Sequence, residues 1–300
     1  MAERETAGEA VTGMLRALAI SLRTSEGPLR RDEFDAVHQT RTVVRRLRSI
    51  LKEYRDVLDR SSATAWRKRL KVWGDALGEV RDAEVRARDG DLMLAQLPSA
   101  VADALRPAVV EPAQEAYRRG HDDLLARIRS QEHEQTLREF ELFGDAPDLG
   151  LLADLPATNT VGDLLVGSAR EAVDRAPSRR ELRMIRRDPD SALDELHRLR
   201  KLARRVRYAA EAAVEAEAFR PRARRRAEKL ALAAKAVQDV LGDHRDAVLF
   251  AHHIEACEAD DAKALARIEK RARAQAARTI KGLRPAVADL KSAAAALARV

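Results

Sequence analysis

His38-Gln39-Thr40-Arg41-Thr42-Val43-Val44-Arg45-Arg46-Leu47-Arg48 recurs in the second half of the chain as His197-Arg198-Leu199-Arg200-Lys201-Leu202-Ala203-Arg204-Arg205-Val206-Arg207. Both stretches read H-x-x-R-x-x-x-R-R-[L/V]-R. At about 100° per residue, the His and the arginines three, seven and ten positions on share one helical face. In the first copy that face is His38, Arg41, Arg45 and Arg48, continued by Lys52 and Arg55. In the second it is His197, Arg200, Arg204 and Arg207, with Lys201 at its edge. Val37, Val43, Val44, Leu47, Ile50, Leu51 and Tyr54 occupy the back of the first, and Leu196, Leu199, Leu202, Ala203, Val206, Ala209 and Ala210 the back of the second. Each stretch is predicted to be one amphipathic helix with an apolar back and a cationic front.

The surrounding composition points the same way. The 300 residues are 45% hydrophobic but only 3% aromatic. Ala, Leu and Val dominate, Gly and Pro are few, and Ala and Arg are strong helix formers. The chain is expected to be all-α, as one large or two medium domains. A net charge of +7 is modest because 49 acidic residues offset most of the 56 basic ones. What matters is therefore where the cations cluster, and clustered cations imply an anionic partner. The single cysteine, Cys257, forms no internal disulfide and no Cys-based zinc site, which fits a reducing compartment. No signal-peptide core and no apolar run near 20 residues are present, so a cytoplasmic protein without a membrane partner is expected.

Taken in order, the pattern predicts a helix over about 5–24, ended by Ser25-Glu26-Gly27-Pro28. The first signature helix is expected over about 32–58. A third opens at Ser61-Ser62 and carries Trp66, Leu70, Trp73 and Leu77. Leu77-Gly78-Glu79-Val80-Arg81-Asp82-Ala83 follows, with helix again over 83–97, and a later helix spans about 114–143. Beyond the midpoint, helices are expected near 161–176 and 180–187, then the second signature helix over 191–218. A basic-headed helix runs from the Phe219-Arg220-Pro221 turn to Leu241, and two more lie near 247–259 and 261–297.

A second motif recurs in the same order. Leu241-Gly242-Asp243-His244-Arg245-Asp246-Ala247 matches 77–83 as L-G-x-x-R-D-A. Two motifs in the same order in both halves imply a tandem duplication, hence two pseudo-twofold-related helix bundles. The expected organisation is a first repeat over 1–145, a linker over 146–160 and a second repeat over 161–300.

The two repeated motifs resemble those of the CHAD family, the histidine-bearing α-helical domains, and the resemblance covers nearly the whole chain. It implies two helix bundles with a basic groove between them that binds inorganic polyphosphate, and a place on polyphosphate granules. Some family members are fused to a triphosphate-hydrolysing domain; helical repeats fill this chain, so polyphosphate-metabolising enzymes are expected as partners in trans. Carried over by position, the family's basic signature falls on His38, Arg41, Arg45 and Arg46, and on His197, Arg200, Arg204 and Arg205. Lys71 and Lys235, each six residues before its Leu-Gly, match the basic position of the following helix. Lys52 and Arg55 become Glu211 and Val214 in the second half, which predicts lopsided contacts.

The residues also support that chemistry directly. A phosphate polymer offers charge at regular intervals, and an arginine on each helical turn presents a fork matched to two phosphate oxygens. One such helix is ordinarily a solvated face paired to acids. Here the first three turns of both stripes hold almost no acid, and the His recurs in register. A nucleic-acid-binding protein using the same surface is the rival, though the scarcity of aromatics argues against single strands. Asp35-x-x-His38 and Asp194-x-x-His197 imitate the acid-His pair of di-iron bundles, but the adjoining arginines would repel metal ions. No phosphate loop or nucleophile elbow is present. A non-enzyme without cofactors is expected. Asp82 and Asp246 are read as helix caps, His121, His133 and His244 as surface or capping residues, and the 222–226 arginine run as either ligand surface or solvated helix start.

Overall fold

The computed structural model describes residues 5–258 and 261–299. Twelve α-helices and no strands of a sheet occur among them: α1 (Ala7–Arg30), α2 (Ala36–Glu53), α3 (Arg60–Leu94), α4 (Ser99–Val109), α5 (Glu111–Ile128), α6 (Gln131–Asp145), α7 (Ala157–Asp174), α8 (Arg179–Arg187), α9 (Leu193–Glu215), α10 (Pro221–Glu255), α11 (Ala262–Thr279) and α12 (Leu283–Leu297). The signature stretches are α2 and α9, and these two helices pack on each other. α1 and α3 flank α2, while α7 and α10 flank α9.

The apolar backs explain this arrangement. Val44, Leu47, Ile50, Leu51 and Tyr54 of α2 are fully buried, as are Ala203, Val206, Ala209, Ala210 and Ala213 of α9. They belong to one core that also takes in α1, α3, α6, α7, α10 and α12. Alanine makes α9 thin, so its neighbours approach closely. The Tyr54 hydroxyl, buried at the centre, donates to the Ala209 carbonyl at 3.0 Å and ties α2 to α9. A smaller core lies at the far ends of α3 and α10, where Leu94, Leu105 and Val109 meet Phe250, Ile254 and Ile268. At 35 residues each, α3 and α10 are about 50 Å long and reach both cores.

Several boundaries differ from the sequence expectation, and each has a local cause. The first helix runs through Ser25-Glu26-Gly27 to Arg30, with Pro28 in its last turn. Glu26 is buried and contacts His133 of α6, so tertiary packing holds the turn that sequence would break. Neither L-G-x-x-R-D-A motif interrupts its helix, and the helix expected at 247–259 is the end of α10. The span 114–143 splits at Ser130, whose hydroxyl accepts from the His133 amide and caps α6. The segment at 146–160 is tied to the first half: Ala7 and Gly8 amides donate to Leu155 and Ala153, and Gly150 packs so closely on the Leu58 carbonyl that a Cβ would lie 2.4 Å away. His121, His133 and His244 are all buried rather than on the surface. His133 stacks on Trp73 at 3.9 Å, and His244 Nδ1 lies 3.1 Å from the Ala276 carbonyl.

A buried ion pair fastens the α2–α7–α9 junction. Arg205 Nε lies 2.8 Å from Glu53, its other nitrogen reaches Glu171 at 2.9 Å, and Ser168 donates to Glu53 at 2.9 Å. Removing one partner leaves a buried charge behind, so Glu53→Ala is expected to lower the unfolding free energy by about 3 kcal/mol. Glu53→Leu combined with Arg205→Met should recover most of that loss. Chemical denaturation of the two variants against the parent measures both, and equal losses in the single and double variants would refute the pairing.

Candidate functional site

With their backs in the core, α2 and α9 turn their cationic fronts to the same side. Position along the stripe decides what each cation does. Arg41 crosses α3 at Gly78, where a Cβ would sit 3.4 Å from its guanidinium, and Arg41 Nη1 donates to Asp82 at 3.0 Å. Arg200 crosses α10 at Gly242, where a Cβ would come within 3.0 Å. The glycine of L-G-x-x-R-D-A therefore makes room for the +3 arginine of the signature helix, which is why the two motifs occur together. Asp82 and Asp246 sit in mid-helix beside these arginines, not at helix starts, so the capping reading is corrected. Burial raises the Asp246 carboxyl pKa, against the pull of Arg200.

Two cavities open along the stripes, and Arg45 lines both. The first, about 380 Å³, takes Arg45, Arg48 and Lys52 from α2, Arg67 from α3, and Lys201 and Arg204 from α9. None of these six cations forms an ion pair among the described residues. The wall's one carboxylate, Glu171, is already held by Arg205 and Arg175. The second cavity, about 480 Å³, holds His38, Arg41, Arg81, Arg200 and Arg245 together with Asp82, Asp89 and Asp246.

Crowding shows in the titration of the cluster. Burial, then the charges of Arg204 and Arg41, pull Arg45 down to about 9. Burial also brings Arg204 to about 10, with Arg200, Arg48 and Arg41 adding to the effect against the nearby Tyr208. Arg48, Lys52, Arg67, Arg200 and Lys201 are likewise lowered, burial first in each case. Arg45 and Arg204 stay charged at neutral pH, so the empty site stores like-charge repulsion that a polyanion would relieve. Burial first, then Arg245, Lys201 and the α9 arginines, pushes the His197 imidazole down to about 4. His38 is lowered by burial and by Arg81, with Asp35 partly opposing. Asp35 itself is in the left-handed region (φ 63°) and lies 3.5 Å from Arg81.

Not every sequence candidate joins the free cluster. Arg46 is paired with Glu215, Arg205 with Glu53 and Glu171, and Arg207 with Glu211 at 2.8 Å. Lys71 and Lys235 are exposed, line neither cavity, and each contacts the aspartate four residues on, Asp75 and Asp239. In the 222–226 run, Arg224 pairs with Glu228 and Arg226 donates to the Ala296 carbonyl at 2.8 Å. Conversely, Arg67, Arg175 and Arg198 in the first cavity, and Arg86 and Arg88 in the second, lay outside the sequence reading. Arg67 stands four residues before Lys71, but Ala231 occupies the matching place in the other half, so comparing repeats hides it.

A protein-family model described as the CHAD domain matches residues 13–255. The uncharacterized protein Rv2226 of Mycobacterium tuberculosis strain H37Rv is 30% identical over 237 residues, 75% of this chain and 41% of that protein. Protein MT2285 of strain CDC 1551 matches to the same extent, so the chain spans about two-fifths of the curated relatives it matches. Among solved structures, PptA from Streptomyces chartreusis superposes with a TM-score of 0.68 at 18% identity, covering 96% of this chain and 99% of that one. The CHAD domain from the plant Ricinus communis gives 0.64 at 20% identity, covering 97% and 92%. Both likenesses establish the fold.

Two outcomes follow from the electrostatics. Arg204→Leu removes a buried, unpaired charge and is expected to stabilise the empty protein by about 1–3 kcal/mol while weakening anion binding; thermal and denaturant unfolding with a binding titration reads both. A loss of stability would mean that Arg204 has a partner in solution. The second outcome concerns His197, whose pKa falls from 6.5 to about 4 on folding. Between those pH values the unfolded chain holds the extra proton, so the empty protein should lose stability as pH drops through that window. A bound polyanion reverses the field, so binding should take up protons and tighten over the same descent. Replacing His38 and His197 by Gln should flatten both profiles, and unchanged pH profiles would sink the assignment.

Proposed function

The chain belongs to the CHAD-domain family, and from that premise we propose that it binds inorganic polyphosphate, without turning it over, in the cationic cavities between α2 and α9. The observation that carries this reading is the set of six unpaired cations around the first cavity. Arginines that stabilise a fold are paired; these repel one another, and a linear anion with a charge on every unit satisfies them together. Arg45 stands in both cavities, so a polymer can pass from one to the other.

The chemistry of the walls supports binding over catalysis. Guanidinium groups neither give nor take protons near neutral pH. The two imidazoles have no carboxylate hydrogen bond among the described residues to make either a stronger base. No aromatic side chain lines the first cavity, so stacking of nucleobases is unsupported there. By the same reading the protein works in the cytoplasm, on polyphosphate granules, and meets polyphosphate-metabolising enzymes as separate chains. No described helix is long and apolar enough to cross a membrane.

A titration against polyphosphate over a range of salt concentrations tests the reading. Several simultaneous phosphate contacts should give a steep linear fall of log affinity with log salt. Single- and double-stranded DNA at equal phosphate concentration should compete poorly, and the pure protein should release no orthophosphate. A flat salt response or stronger competition by DNA would favour another ligand, and phosphate release abolished by His38→Gln with His197→Gln would make it an enzyme.

A further inference from the structure

The helix between α7 and α9, two of the elements at the first cavity, is itself a cationic strip. α8 reads Arg179-Arg180-Glu181-Leu182-Arg183-Met184-Ile185-Arg186-Arg187. At about 100° per residue its five arginines fall within an arc of about 120°. Leu182 and Ile185 lie on the other side, where Ile185 is buried, and α8 packs on α11 and on the turn at 280–282. All five arginines are exposed, and none forms an ion pair among the described residues. Glu181, the helix's one acid, is turned back to the Ser178 amide in a capping box. Elsewhere on the molecule Arg60, Arg118 and Arg138 are each held by an acid within one turn. In the first half, the matching register falls on residues 20–28 of α1, where Arg23 is paired with Glu134 and Glu141. The strip therefore exists once.

Its position gives it a purpose. Arg175, at the end of α7, lines the first cavity. Arg179 follows four residues later, which bounds the separation of their Cα atoms at about 14 Å. On the other side, α9 brings Arg198 and Lys201 back to the same cavity. We propose that α8 is an exit track for the anionic polymer: a phosphate chain longer than the cavities leaves past Arg175 and runs along the α8 arginines. This rests on the polyphosphate reading of the cavities and adds a second, length-selective contact to it. Because the track is tethered to an occupied cavity, its contacts form at high effective concentration and strengthen only chains long enough to reach both.

The test compares long and short chains. Arg179, Arg180, Arg183, Arg186 and Arg187 are all changed to Gln, and circular dichroism checks that the helical content is kept. For chains of about 100 phosphates the affinity should drop roughly tenfold and the log–log salt slope should shallow by about 2–3 units. For chains of about 10 phosphates, affinity should stay within about twofold of the parent. A second variant with the five arginines changed to Lys should keep the parent's salt slope, since charge is what the track supplies. Equal losses on both lengths, or no loss on long chains, would overturn the track. So would binding to phosphatidylserine vesicles as strong as to long polyphosphate and abolished in the Gln variant, which would make α8 a membrane contact. Arg45→Gln with Arg204→Gln separates the two readings: it should weaken both lengths. If it weakens neither, the cavities are not the site and the track falls with them; if it weakens both while the α8 variant changes nothing, only the track fails.

Discussion

Mutual repulsion among buried guanidinium groups is the constraint that this structure is built to withstand. Arg45 and Arg204 both line the first cavity, close enough for the Arg204 charge to lower the Arg45 pKa, and neither has a carboxylate partner among the described residues. What holds them is behind them: Val44, Leu47, Ala203 and Val206 bury the other side of the same helices. The acids near this contact are used elsewhere. Glu53, Glu171, Glu211 and Glu215 pair with Arg205, Arg207 and Arg46, and of these cations Arg205 also lines the first cavity. Neighbouring arginines on one helix thus take opposite roles. Arg204 has no acidic partner among the described residues, while Arg205, one residue on and about 100° round the helix, is tied into the fold.

Much of this was legible because helical periodicity converts sequence directly into faces. The apolar backs of α2 and α9, the cationic stripes and the absence of sheet strands among the described residues all follow from residue spacing and composition. Helix ends were less legible, because sequence weighs local breakers and the fold weighs contacts. A glycine inside a helix costs about 1 kcal/mol relative to alanine, which made Gly78 and Gly242 look like interruptions. In the structure each is the slot for a signature arginine, a contact between residues more than 30 positions apart that no local window contains. The same holds for Glu26 and His133, two polar residues buried against each other from α1 and α6.

The site's membership shows a second limit. Matching the halves pairs Arg41 with Arg200 and Arg45 with Arg204, and all four line one cavity or the other. It promoted Lys71 and Lys235, which match in register but line neither cavity. It passed over Arg67, which has no match. Repeats preserve the positions that hold a fold together, whereas a ligand occupies one continuous volume and draws on whichever side chains reach it. Arg67 and Lys52 reach the first cavity from α3 and α2, and their counterparts Ala231 and Glu211 build nothing similar on the opposite side.

That asymmetry gives the site a direction. In the first cavity six unpaired cations meet one carboxylate that is already paired; in the second, Asp82, Asp89 and Asp246 stand among the arginines and offset them. The positive potential therefore falls from the first cavity toward the second. A polymer of uniform charge has no preferred end of its own, so the order of contacts is set by the protein. If the cavities hold a polyphosphate as proposed, added length toward the second cavity meets aspartates, while length past Arg175 meets the unpaired arginines of α8.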